Sequence, residues 1–284
     1  MKTMRNLDSR WLDIKLGIRM LIKYPGLAIA GGAGIAVAVA IAVGMYSFVY
    51  SNLITSSLPL DEGDRIVSIE IWDTAGGRPE RRSLYDYHVW RAELKSVQEI
   101  SALRVVAPNL IIPGTRPENV VVAAMSASGF EVARIRPLVG RYIEPADEQE
   151  GAPAVIVIGE DVWRNRFAND PAILGRIIQL GATSYSVIGV MPKGYAFPFN
   201  DHFWIPFRAG LPPSEPRTGP DLMVFGRLAP GATIESAQAE LRGISQRTAL
   251  AFPNLYAQLR PQVLPYAHPF VGLHGSQDLS LIHI

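Results

Sequence analysis

The sequence predicts an α+β protein in which one N-terminal transmembrane helix is followed by a mixed α/β extracytoplasmic domain of two subdomains. Three observations carry that prediction. They are an uncharged apolar run near the start, a reversal of charge across it, and a long downstream stretch where period-two strands alternate with period-3.6 helices. Apolar residues make up 48% of the 284 and charged residues 19%, which is enough to bury a core and excludes disorder for most of the chain.

The head comes first. Residues 1–24 carry six Lys/Arg against two Asp, leaving 21 basic and 24 acidic residues in the remainder. At ~100° per residue, 11–23 projects as an amphipathic helix, with Trp11, Ile14, Ile18, Leu21 and Ile22 in one stripe and Lys15, Arg19 and Lys23 beside it. Such a helix lies in a headgroup layer, Trp11 at the interface and the cations toward anionic lipid. Tyr24-Pro25-Gly26 is the elbow that follows, since proline disfavours helix at the residue before it and glycine tolerates the bend.

The span is assigned to 25–50. No charged side chain occurs between Tyr24 and Leu60. A helix of this length reaches about 37 Å at ~1.5 Å per residue, enough for the ~30 Å hydrocarbon layer with some tilt. Cations precede the span while Asp61, Glu62 and Asp64 follow it, so the N-terminus is expected in the cytoplasm and the body outside. A cleaved leader and a buried soluble helix are the competing readings. Both are disfavoured by the length of the apolar run, and the first also by a preceding segment of over twenty residues. Small residues recur every fourth position as Ala28, Gly32, Ala36, Ala40 and Gly44, a transmembrane packing ridge. The same pattern also arises in any Ala/Gly-rich anchor.

In the body, assigned to 51–275, Val67, Ile69 and Ile71 alternate in a strand over 65–72, and 74–79 reads as a loop. Ser83 with Asp86 three residues on opens a helix whose inner face is Leu84, Tyr87, Trp90 and Leu94. Strands are expected around 105–112, 120–124 and 155–158. A helix bearing Trp163 and Phe167 follows the last of these. Segments 177–180 and 185–190 form a hairpin about 181–184, 222–228 is a strand, and 234–252 a long helix. Proline-rich stretches at 192–198 and 212–220 are the expected hinges or subdomain borders.

No chemistry converges. Cysteine is absent, which removes disulfides and thiolate sites. Of the five histidines, His88, His202, His268 and His274 show no metal-ligand spacing, and neither a G-x-S-x-G elbow nor a P-loop occurs. The glycines at 31, 32 and 34 lie inside the apolar run and cannot cradle phosphate. Arg81-Arg82 and Arg164/Arg166 are candidate anion ligands. The aromatics Tyr195, Phe197, Phe199, Phe203, Trp204 and Phe207 could line a groove, with surface and core the plainer readings. No catalytic, cofactor-binding or metal site is expected, and the chain is read as a non-enzyme without cofactor. A slightly acidic body excludes nucleic acid.

Several segments carry a family resemblance. They are 19–26 before the span, Gly140-Arg141-Tyr142-Ile143-Glu144 with Asp147, and 155–159 leading to Trp163. More specific is 187–198 (VIGVMPKGYAFP) followed by Trp204-Ile205-Pro206, and then Gly226-Arg227-Leu228-Ala229-Pro230-Gly231 entering a helix with Ala237, Glu240 and Leu241. In order and spacing these resemble the periplasmic core domain region of MacB/FtsX-like ABC transporter permeases, in wording the large, often duplicated acidobacterial type. The resemblance implies a bacterial inner-membrane protein that relays motion of a separate cytoplasmic ABC ATPase subunit to its outer domain, in export or mechanotransmission. It also implies a second permease half or homodimer partner, and contact with membrane lipid. A single-pass anchored periplasmic binding or scaffold protein is the alternative. The sequence stops where that family's second helix would begin, so an N-terminal fragment is expected. The apolar tail at 279–284, matching the translation of a sequencing adapter, is expected to be non-native.

Overall fold

A computed structural model describes residues 19, 22–49, 60–112, 116–195, 197–198, 202–210 and 215–266. Most of the amphipathic segment expected over 11–23, and the tail at 279–284, lie outside the described residues. The chain divides into two units, 1–55 and 56–284.

The first unit holds helix α1, Pro25–Val49, with proline in its first turn and neither an acid at its start nor a base at its end. It is apolar on every side. Ile29, Ile35 and Ile41 are each more than 60% exposed, an arrangement suited to a lipid environment or to neighbouring helices rather than to water. Among the described residues no helix is long and apolar enough to cross a membrane.

The second unit is built on one mixed sheet. It opens with β1 (Ile66–Asp73), which turns back as β2 (Arg78–Glu80), so the segment read as a loop over 74–79 is the tip of a hairpin. Helix α2 (Leu84–Glu93) starts where Ser83 and Asp86 form a reciprocal capping box, and it buries Leu84, Tyr87 and Trp90, with Leu94 just past its end. Then come β3 (Val97–Val106), β4 (Asn109–Ile111), β5 (Glu118–Asn119), β6 (Val122–Met125), the short helix α3 (Ser128–Ala133) and β7 (Val139–Gly140). The strand expected near 105 begins eight residues earlier. Gln98 and Glu99 conceal it by breaking the alternation at a bulge.

β8 (Val155–Gly159) is buried along its whole length and runs into α4 (Glu160–Phe167). The expected hairpin is β9 (Ile177–Leu180) and β10 (Thr183–Met191), with a tighter turn than the sequence suggested, because Thr183 already pairs with Leu180. Next are β11 (Phe203–Pro206), β12 (Met223–Leu228) and α5 (Ile234–Ala251), the last capped by Thr233 and Ser236 and burying Ala237, Leu241 and Ile244. A single turn, α6 (Pro253–Tyr256), leads to β13 (Leu259–Pro265), whose backbone is held by both ends of the Gln238 amide.

The main strand order is β13-β1-β12-β3-β6-β11-β8-β10-β9-β4-β5. Pairs β6/β11 and β8/β10 are parallel and the others antiparallel. Three apolar clusters line this sheet. One lies under α2 and α5, one around Phe130 and Trp204, and one around Ile156 and Phe167. The sheet continues from one cluster to the next through the whole described body.

The expected hinges are fastened down where described. Tyr195 and Phe197 from the first proline-rich stretch are buried, and Trp204 Nε1 donates to the Phe197 carbonyl at 3.1 Å. From the second, Arg217 reaches Asp86 and Glu80, both at 2.9 Å.

Candidate functional site

The body is entered through a compact turn, Gly63–Arg65, after Glu62 in a left-handed conformation. Strand β12 runs beside β1 with Arg227 opposite Ile66, which aims the Arg227 side chain under this turn. Only 1% of Arg227 is exposed. Its guanidinium donates to the carbonyls of Asp61 and Glu62, each at 3.0 Å, and to that of Val132 at 2.6 and 3.2 Å. A buried cation is therefore held by three peptide dipoles from the entry turn and the end of α3. The nearest carboxylate oxygen, Glu62 Oε2, is 3.7 Å away.

Around this centre Glu62 accepts from Arg65 at 2.8 Å and from Arg134 at 2.7 Å, while Arg65 also donates to the Leu228 carbonyl at 2.6 Å. Burial, and then the neighbouring Arg134, pull the Arg227 pKa down, against opposing pulls from Glu62 and Glu99. The hydrogen bond from Arg65 is the main cause that lowers the Glu62 carboxyl. Breaking a tie of this kind is costly, because each abandoned buried carbonyl loses about 1–3 kcal/mol of compensation.

A second buried charge lies elsewhere on the body. Asp86, 3% exposed, accepts from Ser83, from Arg217 at 2.9 Å and from the Tyr256 hydroxyl at 2.8 Å. Here anion and cation neutralise each other directly.

The Gly140–Asp147 motif also has a structural cause. Where β7 crosses β10, a Cβ on Gly140 would overlap the Ile188 carbonyl and one on Gly189 would overlap the Arg141 carbonyl, so neither can carry a side chain. Arg141 then clamps Asp147 in a two-pronged pair at 2.6 and 3.0 Å, which holds that carboxyl below its usual range.

Other candidates resolve into structure. Arg81 donates to backbone carbonyls, Arg82 pairs with Glu70, Arg164 with Glu160 at 2.9 Å and Arg166 with Glu118 at 2.8 Å, so none is a free anion ligand. Four of the aromatics, Tyr195, Phe197, Phe203 and Trp204, are core, as is Phe207, and Phe199 lies outside the described residues. The fold brings His202 to Asp161 at 2.9 Å, a pair that a separation of 41 positions hid from spacing rules. Among the described residues no group of three or more metal-ligating side chains occurs, and His268 and His274 lie outside them. Along α1, Gly32, Ala36, Ala40 and Gly44 are exposed, and Ala28 belongs to the helix. A Cβ on Gly32 or Gly44 would meet nothing within 4 Å.

With that geometry in place, comparison decides the family. Residues 33–244 match the MacB-like periplasmic core domain. The chain belongs to this family. The matched segment starts inside α1 and ends within α5, so it takes in most of the apolar helix as well as most of the body.

Solved MacB-like and permease domains share the fold. A domain of a putative permease from Porphyromonas gingivalis aligns with TM-score 0.55 and 15% identity, covering 74% of this chain and 92% of that one. The periplasmic region of MacB from Actinobacillus actinomycetemcomitans gives 0.54 and 14%, with 76% and 95% covered. The extracellular domain of the noncanonic ABC-type transporter YknZ from Gram-positive bacteria gives 0.50 and 16%, with 69% and 99% covered. No curated protein sequence matches the chain.

Proposed function

We propose that this MacB-like chain is the first helix and outer domain of an ABC transporter permease, and that it relays movement driven by a separate cytoplasmic ATPase to the outer domain. In this reading α1 crosses the bacterial inner membrane with its N-terminus in the cytoplasm and the body lies in the periplasm. The small-residue ridge at Ala28, Gly32, Ala36, Ala40 and Gly44 meets helices of the same or a second permease half. The chain does no chemistry itself, and ATP is bound by the partner subunit.

The observation that carries this reading is the Arg227 tie. A mechanical relay needs the entry to the outer domain to be fixed to the domain it moves, and the buried Arg227 side chain ties the half-buried carbonyls of Asp61 and Glu62 to the buried carbonyl of Val132. The helix complements it. With no Asp, Glu, Lys, Arg or His between Lys23 and Asp61, α1 lacks the charged groups that usually mark a proton or ion path.

The test uses the full permease with its ATPase, paired spin labels in the two outer domains, and distances measured with and without ATP. The expected result is a nucleotide-dependent change. Distances that stay fixed while hydrolysis proceeds would end the relay reading. Orientation is checked apart from it by fusing alkaline phosphatase after residue 70, where the enzyme is expected to be active.

A further inference from the structure

We propose that the cleft between the end of α2, the start of β3 and α3 binds a small zwitterion whose primary ammonium and phosphate lie a short chain apart, the phosphoethanolamine class. The cleft has a volume of about 460 Å³, and its charged lining is Arg91, Lys95, Glu99 and Glu131. Volumes of this order hold headgroup-sized ligands.

Backbone geometry is the first argument. Strand β3 places two residues, Glu99 and Ile100, opposite the single Gly226 of β12, since Gln98 pairs with Arg227 and Ser101 with Phe225. Glu99 takes the extra place at φ 53, a left-handed conformation that favours glycine. Gly226 permits it, because a Cβ there would lie 2.6 Å from Val97 Cγ1 and 3.0 Å from the Gln98 carbonyl. Bulges of this kind re-aim a side chain, and strain of about 1–3 kcal/mol at a non-glycine residue concentrates at sites that use it.

Unspent polar capacity is the second argument. Glu99 Oε2 is buried and has no hydrogen-bond partner among the described residues. Arg91 donates once to the Tyr87 hydroxyl at 3.1 Å and Lys95 once to the Ala92 carbonyl at 2.7 Å, which leaves both with free N–H groups. Among the described residues these four charged side chains form no ion pair with one another, although they line one cleft. At its wall Ser128 begins a chain of hydroxyls through Ser126 at 3.2 Å to Ser101 at 2.8 Å.

Two cations and two carboxylates kept apart suit a ligand that carries both signs. A phosphate takes the guanidinium fork together with an ammonium, and a primary ammonium gives its donors to the Glu131 carboxylate and to Glu99, whose unmet oxygen is reached by a turn of its side chain toward the cleft. Glu99 also acts as a distant countercharge for Arg227. That role explains a negative charge there. It does not explain a strained bulge with an unmet oxygen at a cleft.

The test titrates the whole chain, in a nonionic detergent, with O-phosphoethanolamine, ethanolamine and inorganic phosphate by calorimetry. O-phosphoethanolamine is expected to bind at least tenfold more tightly than either half. Glu99→Gln is expected to weaken it at least tenfold and Lys95→Met, an exposed change that leaves folding alone, at least threefold. Adding short-chain phosphatidylethanolamine separates the sources. Competition that phosphatidylcholine, which lacks N–H donors, does not reproduce assigns a lipid headgroup, and its absence assigns a free solute. The proposal fails if O-phosphoethanolamine does not bind, if ethanolamine alone binds as well, or if Lys95→Met and a folded Glu99→Gln both leave affinity unchanged.

Discussion

The two buried arginine centres of the body solve one problem in opposite ways. At Arg217 the guanidinium meets two carboxylates, Glu80 and Asp86, each at 2.9 Å, so its charge is met by direct contact. At Arg227 the partners are backbone carbonyls, and the carboxylates that balance the charge stand off, the nearest at 3.7 Å and shared with Arg65 and Arg134. The first centre locks a loop to a helix by charge. The second holds a chain entry point by dipoles, so its strength depends on the exact path of the backbone at Asp61–Glu62.

The contrast is broken most directly at Arg227 itself. Arg227→Leu leaves the buried Val132 carbonyl without its donor and takes one from the half-buried Asp61 and Glu62 carbonyls, and should cost about 3 kcal/mol, read as a lower urea midpoint. Arg227→Lys should recover only part of this, since a point charge cannot fork to three carbonyls. A loss under 1 kcal/mol would mean that the dipoles do not hold the turn.

Asp86→Ala should cost slightly less, about 2 kcal/mol, because it takes from Arg217 the more buried of its two carboxylates and removes half of the capping box of α2. Asp86→Asn should restore much of the cap and little of the pair. Equal effects of the two changes would show that charge is not what the Arg217 centre contributes.

Asp147→Asn serves as an exposed-arginine control, with about 1–2 kcal/mol expected at neutral pH for a charge-assisted hydrogen bond. The Asp147 pKa is lowered in the fold, mainly by Arg141, so its contribution is complete above the unfolded value near 3.8 and disappears as pH falls through the folded value. Wild type and variant should therefore differ by a constant amount from pH 7 to about 4 and converge below. Persistence of the gap at pH 2 would assign the effect to shape instead. The smallest effect is expected of Glu62→Gln, its side chain being 43% exposed, and that effect should shrink in high salt while that of Arg227→Leu does not.

How far the sequence revealed these features follows the range of the interactions. Helix α2 was legible because its cap, Ser83 to Asp86, and its buried face lie within twelve residues. Strands β8 and β10 were legible as apolar runs with nothing to interrupt them. Strand β13 was missed because Pro261 and Pro265 punctuate it, which an outer strand tolerates where an inner one would not. Helix α3 is too short to show a period. The Arg227 centre was visible only as part of a family motif, since its partners lie 95 to 166 positions away and act through carbonyls, which no side-chain pattern records. The single continuous sheet was hidden for the same reason.

Strand order has a consequence for how the chain is made. β1 lies between β12 and β13, with Val67 opposite Pro265, so the first strand of the body waits for roughly 200 further residues before its outer neighbour exists. At ~5–20 residues per second of synthesis, that wait is about 10–40 s. Until β12 and β13 are made, Ile66–Glu70 has no strand partner, since β2 reaches only Ile71–Asp73, and this largely apolar segment is a template for association with other nascent chains. The ribosome thus delivers this strand first and its outer cover last, and shielding it in between lowers the risk of association.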